Sequence, residues 1–380
     1  MNKKVLVVGG GTGGHTTPVI SVVEEILEQA PKTEIVFWTD KKQYKNVCES
    51  GLGKKIRVKK IIGGKLRRFT NWDFWEYVKH FHVVLQNIWD FIKFGIGFCQ
   101  SYIGLKKEKP DVVFLKGGYV CLPVGLAAGR LKIPYVIHES DVVPGLTNRL
   151  LMRKAAKIAT GMPTEYYGEY QDKMLWTGIP IDERFRRYNQ EEKEKIKEKF
   201  GFRPERPLIV VTGGSQGAKN LNAVVEEILP SMMEVGAVLL VAGEKNMNEM
   251  KDLGRYIGES FNMIGYSDSL WDLFGAATVV VTRTGASTLM NLAAAKKAAV
   301  LVPNQKLPGG HQVKNAEMFE KAGAGKMLID KDMMEKPERL LEAVKELIEN
   351  EELRREMEAA AGKFAKHNAT KELAEIILDI

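Results

Sequence analysis

Five short stretches of this 380-residue sequence combine side chains and backbone suited to gripping phosphate or moving a proton. The first is Gly9-Gly10-Gly11-Thr12-Gly13-Gly14-His15, directly after the apolar run Val5–Val8. Glycine lets backbone N–H groups approach a ligand closely, and the helix that follows presents its positive end. Thr212-Gly213-Gly214-Ser215-Gln216-Gly217 repeats the arrangement after Leu208–Val211. The third stretch, Thr282-Arg283-Thr284-Gly285-Ala286-Ser287-Thr288, joins a strand, a glycine turn, hydroxyls and a fresh helix start, which together make a diphosphate cradle. Arg283 can add a charge-assisted hydrogen bond, and Asn291 lies one turn on, within reach of a ribose. His138-Glu139-Ser140-Asp141 ends another strand, where open α/β sheets bind ligands. Pro308-Gly309-Gly310-His311-Gln312 again links a strand to a helix, with polar groups able to read sugar hydroxyls.

Each stretch also has a plainer reading. Gly9, Gly11 and Gly14 satisfy the dinucleotide fingerprint, with Asp40 ending the next strand, so a nicotinamide-dependent oxidoreductase is one candidate. His15 follows the glycines at a helix start, where imidazolium is disfavoured. A neutral imidazole there serves as a base, or simply caps the turn. The 282–288 stretch also fits an ordinary capped helix, and 138–141 a satisfied loop network.

Composition narrows the classes. A chain of this length with 44% hydrophobic residues can bury two cores. Its three cysteines, Cys48, Cys99 and Cys121, form neither a disulfide framework nor a zinc pattern, which fits reduced thiols in the cytosol. The six histidines are scattered, so no metal site is expected. No signal peptide opens the sequence and no run reaches the length of a membrane span. The net charge of +8 implies attraction to an anion, whether nucleic acid, phospholipid or phosphorylated substrate. So many phosphate-type loops point away from nucleic acid.

These loops need a scaffold of alternating strands and helices. Strand signals fall at 4–8, 34–38, 112–115 and 135–138, then again at 208–211, 237–241, 278–282 and 299–302, with helical patterns between. The pattern predicts an α/β chain of two Rossmann-like, doubly wound domains facing a central cleft. The expected divisions are a first domain over 1–177, a linker over 178–205, a second domain over 206–360 and a C-terminal helix over 361–380 that can pack back on the first. Between Lys65 and Leu105 the sequence is rich in aromatics. Phe74, Val78, Phe81, Leu85, Ile88 and Ile92 form one helical stripe, read as packing on the sheet. Arg67, Arg68, Phe69, Trp72 and Trp75 mix basic and aromatic groups, as an interfacial membrane contact does.

Seven motifs in order carry a resemblance: GGGTGGH (9–15), KGGYV (116–120), HESDVVPGLTNRL (138–150), TGIP (177–180), GGSQGAKNLN (213–222), TRTGAST (282–288) and HQVKNA (311–316). Together they are similar to the MurG family of glycosyltransferases. The resemblance implies a GT-B fold and an inverting hexosyltransferase needing no cofactor or catalytic metal. It implies transfer of N-acetylglucosamine from UDP-GlcNAc to the lipid-linked diphosphate acceptor lipid I in peptidoglycan synthesis. A glycolipid synthase using another UDP-sugar is the alternative. On this resemblance His15 and Glu139 are catalytic. Gly14, His15, Tyr119, His138, Glu139 and Asn148 meet the acceptor. Donor residues are Thr12, Gly13, Gly14, Ser215, Gln216, Asn222, Arg283, Ala286, Ser287, Thr288, Asn291, His311 and Gln312. The segment after Lys65 corresponds to a membrane-contacting patch, placing the enzyme peripherally on the cytoplasmic face of the plasma membrane against an anionic surface. Asn291 stands where the family usually has Glu, and Ser140-Asp141 where it has Gln-Asn.

Overall fold

A computed structural model describes residues 3–11, 13–65, 80–214 and 217–380. The chain divides into two compact units, one of Met1–Pro180 with Lys366–Ile380 and one of Ile181–Ala365. In the first, strands β1 (Lys4–Val8), β2 (Glu34–Thr39), β3 (Arg57–Lys60), β4 (Val112–Leu115), β5 (Tyr135–Glu139), β6 (Lys157–Thr160) and β7 (Met174–Trp176) form one sheet. Its helices are α1 (Gly13–Gln29), α2 (Lys41–Glu49), α3 (Phe81–Glu108), α4 (Cys121–Leu131) and α5 (Leu146–Leu151). The second unit holds α6 (Gln190–Lys199), β8 (Leu208–Thr212), α7 (Lys219–Val235), β9 (Ala237–Val241), β10 (Phe261–Ile264), α8 (Leu270–Ala276) and β11 (Val279–Thr282). It continues through α9 (Ala286–Ala295), β12 (Ala299–Leu301), α10 (His311–Lys321), β13 (Lys326–Met327), α11 (Asp330–Glu335), α12 (Glu338–Glu349) and α13 (Glu351–Gly362). The last helix, α14 (Ala369–Leu378), belongs to the first unit.

Both sheets are parallel, ordered β3-β2-β1-β4-β5-β6-β7 and β10-β9-β8-β11-β12-β13. Helices cover both faces, so β1, β4, β8 and β9 can be near-continuous Val and Leu runs with no polar side. This order reverses direction between β1 and β4, and again between β8 and β11. Such switch points leave a crevice at the carboxyl ends of the strands. Edge strands were harder to read. β3 is Arg-Val-Lys-Lys, and its charges suit an edge better than they advertise a strand.

Two stretches differ from the sequence expectation. The 178–205 linker is a packed part of the second unit from Ile181 on. Phe185 is buried edge-on to Trp271 and Phe274, and the Tyr188 hydroxyl donates to Asp272 Oδ1 at 2.7 Å. At the other end α14 begins at Ala369, and its Leu373, Ala374 and Ile377 join Val19, Val22, Val23 and Ile26 of α1 in one core.

Helix α3 reverses the usual pattern, and here the stripe read as packing on the sheet is corrected. Leu85, Ile88 and Ile92 of that stripe are about half exposed, as are Trp89, Phe91, Ile96 and Ile103. The inward face is built from Asp90, Gly97, Ser101 and Gly104. A Cβ at Gly97 would lie 2.1 Å from the Ile62 carbonyl oxygen, and one at Gly104 2.6 Å from the Trp38 ring. Small residues let the backbone lie close to the sheet. Val83 and Leu105 of the same helix are buried with them, while the apolar residues named above are left outward. Phe74, Val78 and the basic-aromatic residues Arg67, Arg68, Phe69, Trp72 and Trp75 lie outside the described residues.

Candidate active site

The clearest site stands at the second switch point. β11 ends at a fully buried Thr282, and the next residue, Arg283, is itself nearly buried. Its Nη1 donates to Asp330 Oδ1 at 2.5 Å and to the Val302 carbonyl at 3.1 Å. Thr284 Oγ1 donates to the Gln312 carbonyl at 2.7 Å, and Asn304 N donates to Gln312 Oε1 at 2.9 Å. Three loops are thereby stitched into one wall. Helix α9 starts at Gly285 with no side-chain cap, and so does α7 at Ala218. Neither has an acidic residue in its first turn.

Both helix starts open on one cavity of about 540 Å³. Its lining includes Gly214, Gly217, Asn220, Arg283, Gly285, Thr288, Lys306 and Gln312. Lys219, Arg283, Lys306 and Asp330 also line it. Arg283 pairs with Asp330 and Lys219 with Glu249, so Lys306 carries the charge left without an ion pair among the described residues. Uncapped helix amides plus excess positive charge make an anion site of the size that holds a nucleotide-sized ligand. A second cavity of about 510 Å³ shares Gly214 and is lined by Val241, Gly243, Glu244, Lys245, Gly265 and Tyr266, beyond the ends of β9 and β10.

Among the expected donor residues, Arg283, Thr288 and Gln312 line the first cavity. Ala286 and Ser287 start α9 beside it, while Asn291 and His311 lie outside the lining. Asn222 lies outside the lining, buried on α7, and its amide donates to the Ala242 carbonyl at 2.9 Å, tying helix to strand. Ser215, Gln216 and Thr12 lie outside the described residues. Asp330, Asn304, Asn220 and Lys306 were not picked out from the sequence. Asp330 sits 47 positions from its Arg283 partner, and no local motif marks it.

At the first switch point a buried carboxylate, Asp40, stands beside the glycine loop. Asp40 Oδ1 caps α2, accepting from Lys42 N at 2.7 Å and Gln43 N at 2.9 Å. Oδ2 accepts from Gly11 N and from the Tyr119 hydroxyl at 3.1 Å. Burial and this carboxylate push the Tyr119 phenol up to about 12. A Cβ at Gly10 would come within 2.7 Å of Oδ2, and Gly11 holds φ +92, so both glycines serve this contact. The nicotinamide reading fails here, because the carboxylate needed for a cofactor ribose is spent on the loop itself.

Gly13, Gly14 and His15 form the first turn of α1, and their side chains lie outside the described set. His138, Glu139 and Asn148, expected to meet the acceptor, are buried and joined by hydrogen bonds from Asn148 to the His138 carbonyl and the Glu139 carboxylate. His138 Nε2 bonds the Gly178 carbonyl oxygen at 2.8 Å. Glu139 accepts from Asp141 N at 3.0 Å, Gly145 N at 2.9 Å and Asn148 Nδ2 at 2.9 Å. Burial, then Asp141, push its carboxyl pKa up. These contacts let Glu139 shape the 139–148 loop. Tyr119 alone of the expected acceptor side chains described here is half-exposed. Among the described residues no group of three or more His, Cys, Asp or Glu can hold a metal ion.

Two Rossmann-like units, with an anion cavity at the switch point of the second, define a GT-B glycosyltransferase fold. A MurG crystal structure from Acinetobacter baumannii matches over 100% of both chains at TM-score 0.75 and 23% identity. The calicheamicin glycosyltransferase CalG4 matches at TM-score 0.68 and 15% identity, over 100% of this chain and 98% of that one. Residues 5–160 match the glycosyltransferase family 28 N-terminal domain and residues 208–375 its C-terminal domain. The chain therefore belongs to glycosyltransferase family 28. A protein of Thermoanaerobacter sp. (strain X514), named UDP-N-acetylglucosamine--N-acetylmuramyl-(pentapeptide) pyrophosphoryl-undecaprenol N-acetylglucosamine transferase, is 31% identical over 99% of this chain and 100% of its own length. One of the same name from Lachnospira eligens is 34% identical over 91% of each chain.

Proposed function

We propose that this enzyme transfers N-acetylglucosamine from UDP-GlcNAc to the muramyl hydroxyl of lipid I, giving lipid II for peptidoglycan. The observation that carries the donor half is the cationic cavity where the starts of α7 and α9 converge. Full-length relatives bearing that transferase name supply the acceptor. The amides of Gly285 to Thr288 and the guanidinium of Arg283 hold the diphosphate, with Gln312 at the sugar. The acceptor oxygen attacks the anomeric carbon from the face opposite UDP. The new glycosidic bond forms as the bond to the diphosphate oxygen breaks, and the configuration inverts. His15 takes the hydroxyl proton, while the cradle stabilises charge gathering on the departing UDP. UDP-sugar is a substrate, and this mechanism calls on no further cofactor.

The acceptor is lipid-linked, and the outward apolar face of α3 supplies the matching surface. No described helix is long and apolar enough to cross a membrane. Leu85, Ile88, Trp89, Phe91, Ile92 and Ile96 suit shallow insertion at the cytoplasmic leaflet, with Lys93 beside them.

UDP release assayed with UDP-GlcNAc and a lipid I analogue tests this reading. Release that requires both supports it, and release with another sugar or a diacylglycerol acceptor reassigns the pathway. Thr288→Ala is expected to weaken UDP binding with little effect on folding. His15→Ala is expected to cut turnover about 10²-fold or more, and an unchanged rate removes His15 as the base.

A further inference from the structure

Among the buried charges that the mechanism does not use, Lys116 stands at a strand end beside the 139–148 loop. Lys116 follows β4, and its backbone N–H donates to the Val8 carbonyl at 3.2 Å. It is only 2% exposed, yet its ammonium donates to Ser140 Oγ across the sheet end. Glu139 at the end of β5 and Asp141 in the loop beyond face it electrostatically, with the Cys121 thiol on α4 behind. Burial pushes that thiol up to about 12, so it stays neutral. Tyr167 donates its hydroxyl to the Asp141 carbonyl at 3.0 Å, and burial keeps its phenol protonated. The next residue, Gly117, brings the β4 loop against Asn148, whose side-chain atoms lie 3.1 Å from where a Cβ would stand.

We propose that Lys116 is a positioning residue for the acceptor, its ammonium clamping the 139–148 loop through its hydrogen bond to Ser140 Oγ. This rests on the reading that the first unit receives the acceptor. Two adjacent carboxylates, one buried, repel each other and favour protonation. A protonated Glu139 accepts fewer hydrogen bonds, and the amides of Asp141 and Gly145 and the side chain of Asn148 depend on it. The ammonium holds Ser140 in place, so the loop keeps its shape while Lys116 is charged.

The charge has a titration window that makes the idea measurable. Burial lowers Lys116 to about 8 from its ordinary 10.5, against the opposing pull of Glu139 and Asp141. Below that pH the clamp is closed, and above it the clamp is lost. Initial rates from pH 6.5 to 9.5, with UDP-GlcNAc and a soluble lipid I analogue, read this as a split between the two Michaelis constants. The acceptor KM is expected to rise about tenfold above pH 8 while the donor KM stays flat. Lys116→Met should raise the acceptor KM about tenfold at pH 7 and abolish its pH dependence. Ser140→Ala, which keeps the charge, should show a smaller rise with the alkaline limb retained. An acceptor KM flat with pH in the wild type, or a donor KM that moves equally, overturns the proposal. Lysine-selective NMR of the wild-type protein gives a readout free of substrate. A midpoint near pH 8, absent in Lys116→Met and coupled to shifts of the 139–148 amides, is expected even if no transfer to lipid I is found. A midpoint near 10 without those shifts refutes the clamp and leaves the transferase reading standing.

Discussion

The two switch points of this chain share strand order, glycine loops and helix starts, yet in one a carboxylate holds a loop amide and in the other the carboxylate holds an arginine. In the first unit Asp40 reaches back across the loop and accepts from Gly11 N, Lys42 N, Gln43 N and Tyr119. In the second the carboxylate is Asp330 at the start of α11, and it takes Arg283 instead of the loop amides. The starts of α7 and α9 therefore remain without side-chain caps and face the cavity. The sequence position of the aspartate decides whether it holds a glycine-loop amide, as Asp40 does, or a cation, as Asp330 does.

The largest effect is expected at the second site. Asp330→Ala strands Arg283 as a nearly buried cation, and breaking such a pair costs about 3–5 kcal/mol. UDP should recover part of that loss, because its diphosphate restores a counter-charge. Denaturation of the variant with and without UDP checks this: a larger stabilisation by UDP than in the wild type is expected. A variant as stable as the wild type would show that Asp330 does not balance Arg283.

Asp40→Asn tests the first site and should cost about 2 kcal/mol. The amide NH2 replaces Oδ2 and leaves the Gly11 N–H facing a donor, while the cap oxygen is kept. It carries a spectroscopic signature. The Tyr119 phenol, now at about 12, should titrate lower by tyrosinate absorbance, with Tyr119→Phe identifying the signal. UDP affinity should not change, since the donor cavity belongs to the second unit. A weakened UDP affinity would mean that the two switch points are not independent.

Much of this contrast was hidden in the sequence for physical reasons. Glycine loops and central strands were legible because close backbone approach demands glycine, and burial on both faces demands unbroken apolar runs such as Val5–Val8 and Leu208–Val211. Carboxylate partners were not. Asp40 was visible as the end of β2, but only the fold shows both oxygens in use. Asp330 is distant in sequence from Arg283, and Glu139 looks as reactive in the string as it is occupied in the structure. Helix α3 misled because its apolar periodicity is real, while Gly97, Ser101 and Gly104 select the opposite face for packing. That choice is made by the close approach of Ile62 and Trp38.

The units should also part company with pH. Glu108 in the first unit is buried, which would raise it, but Lys59, Lys4 and Arg57 hold it down to about 2. Its folded pKa lies below the ordinary 4.5, so its contribution is complete above about 4.5 and drains away as pH falls towards 2. Lys297 in the second unit is lowered to about 7 by burial and then by Lys193, its amine donating to the Gly275 and Ala277 carbonyls. The unfolded state binds the proton more tightly there, so stability should rise between pH 7 and about 10.5. Unfolding followed across pH should lose its acid limb in Glu108→Gln and its alkaline rise in Lys297→Met.

The smallest effect on stability belongs to the outward face of α3, which sets the first unit's surface apart from its core. Ile92→Ser removes an apolar side chain already 45% exposed, so folding should change by no more than about 0.5 kcal/mol. Gly104→Ala, three turns along on the inward face, forces a methyl against Trp38 and should destabilise by about 1–3 kcal/mol. Vesicle binding should reverse the order. Sedimentation with anionic phospholipid vesicles is expected to fall for Ile92→Ser and to hold for any Gly104→Ala protein that remains folded. Equal binding by wild type and Ile92→Ser would mean that this face does not meet lipid, and the apolar side chains on α3 would need another partner.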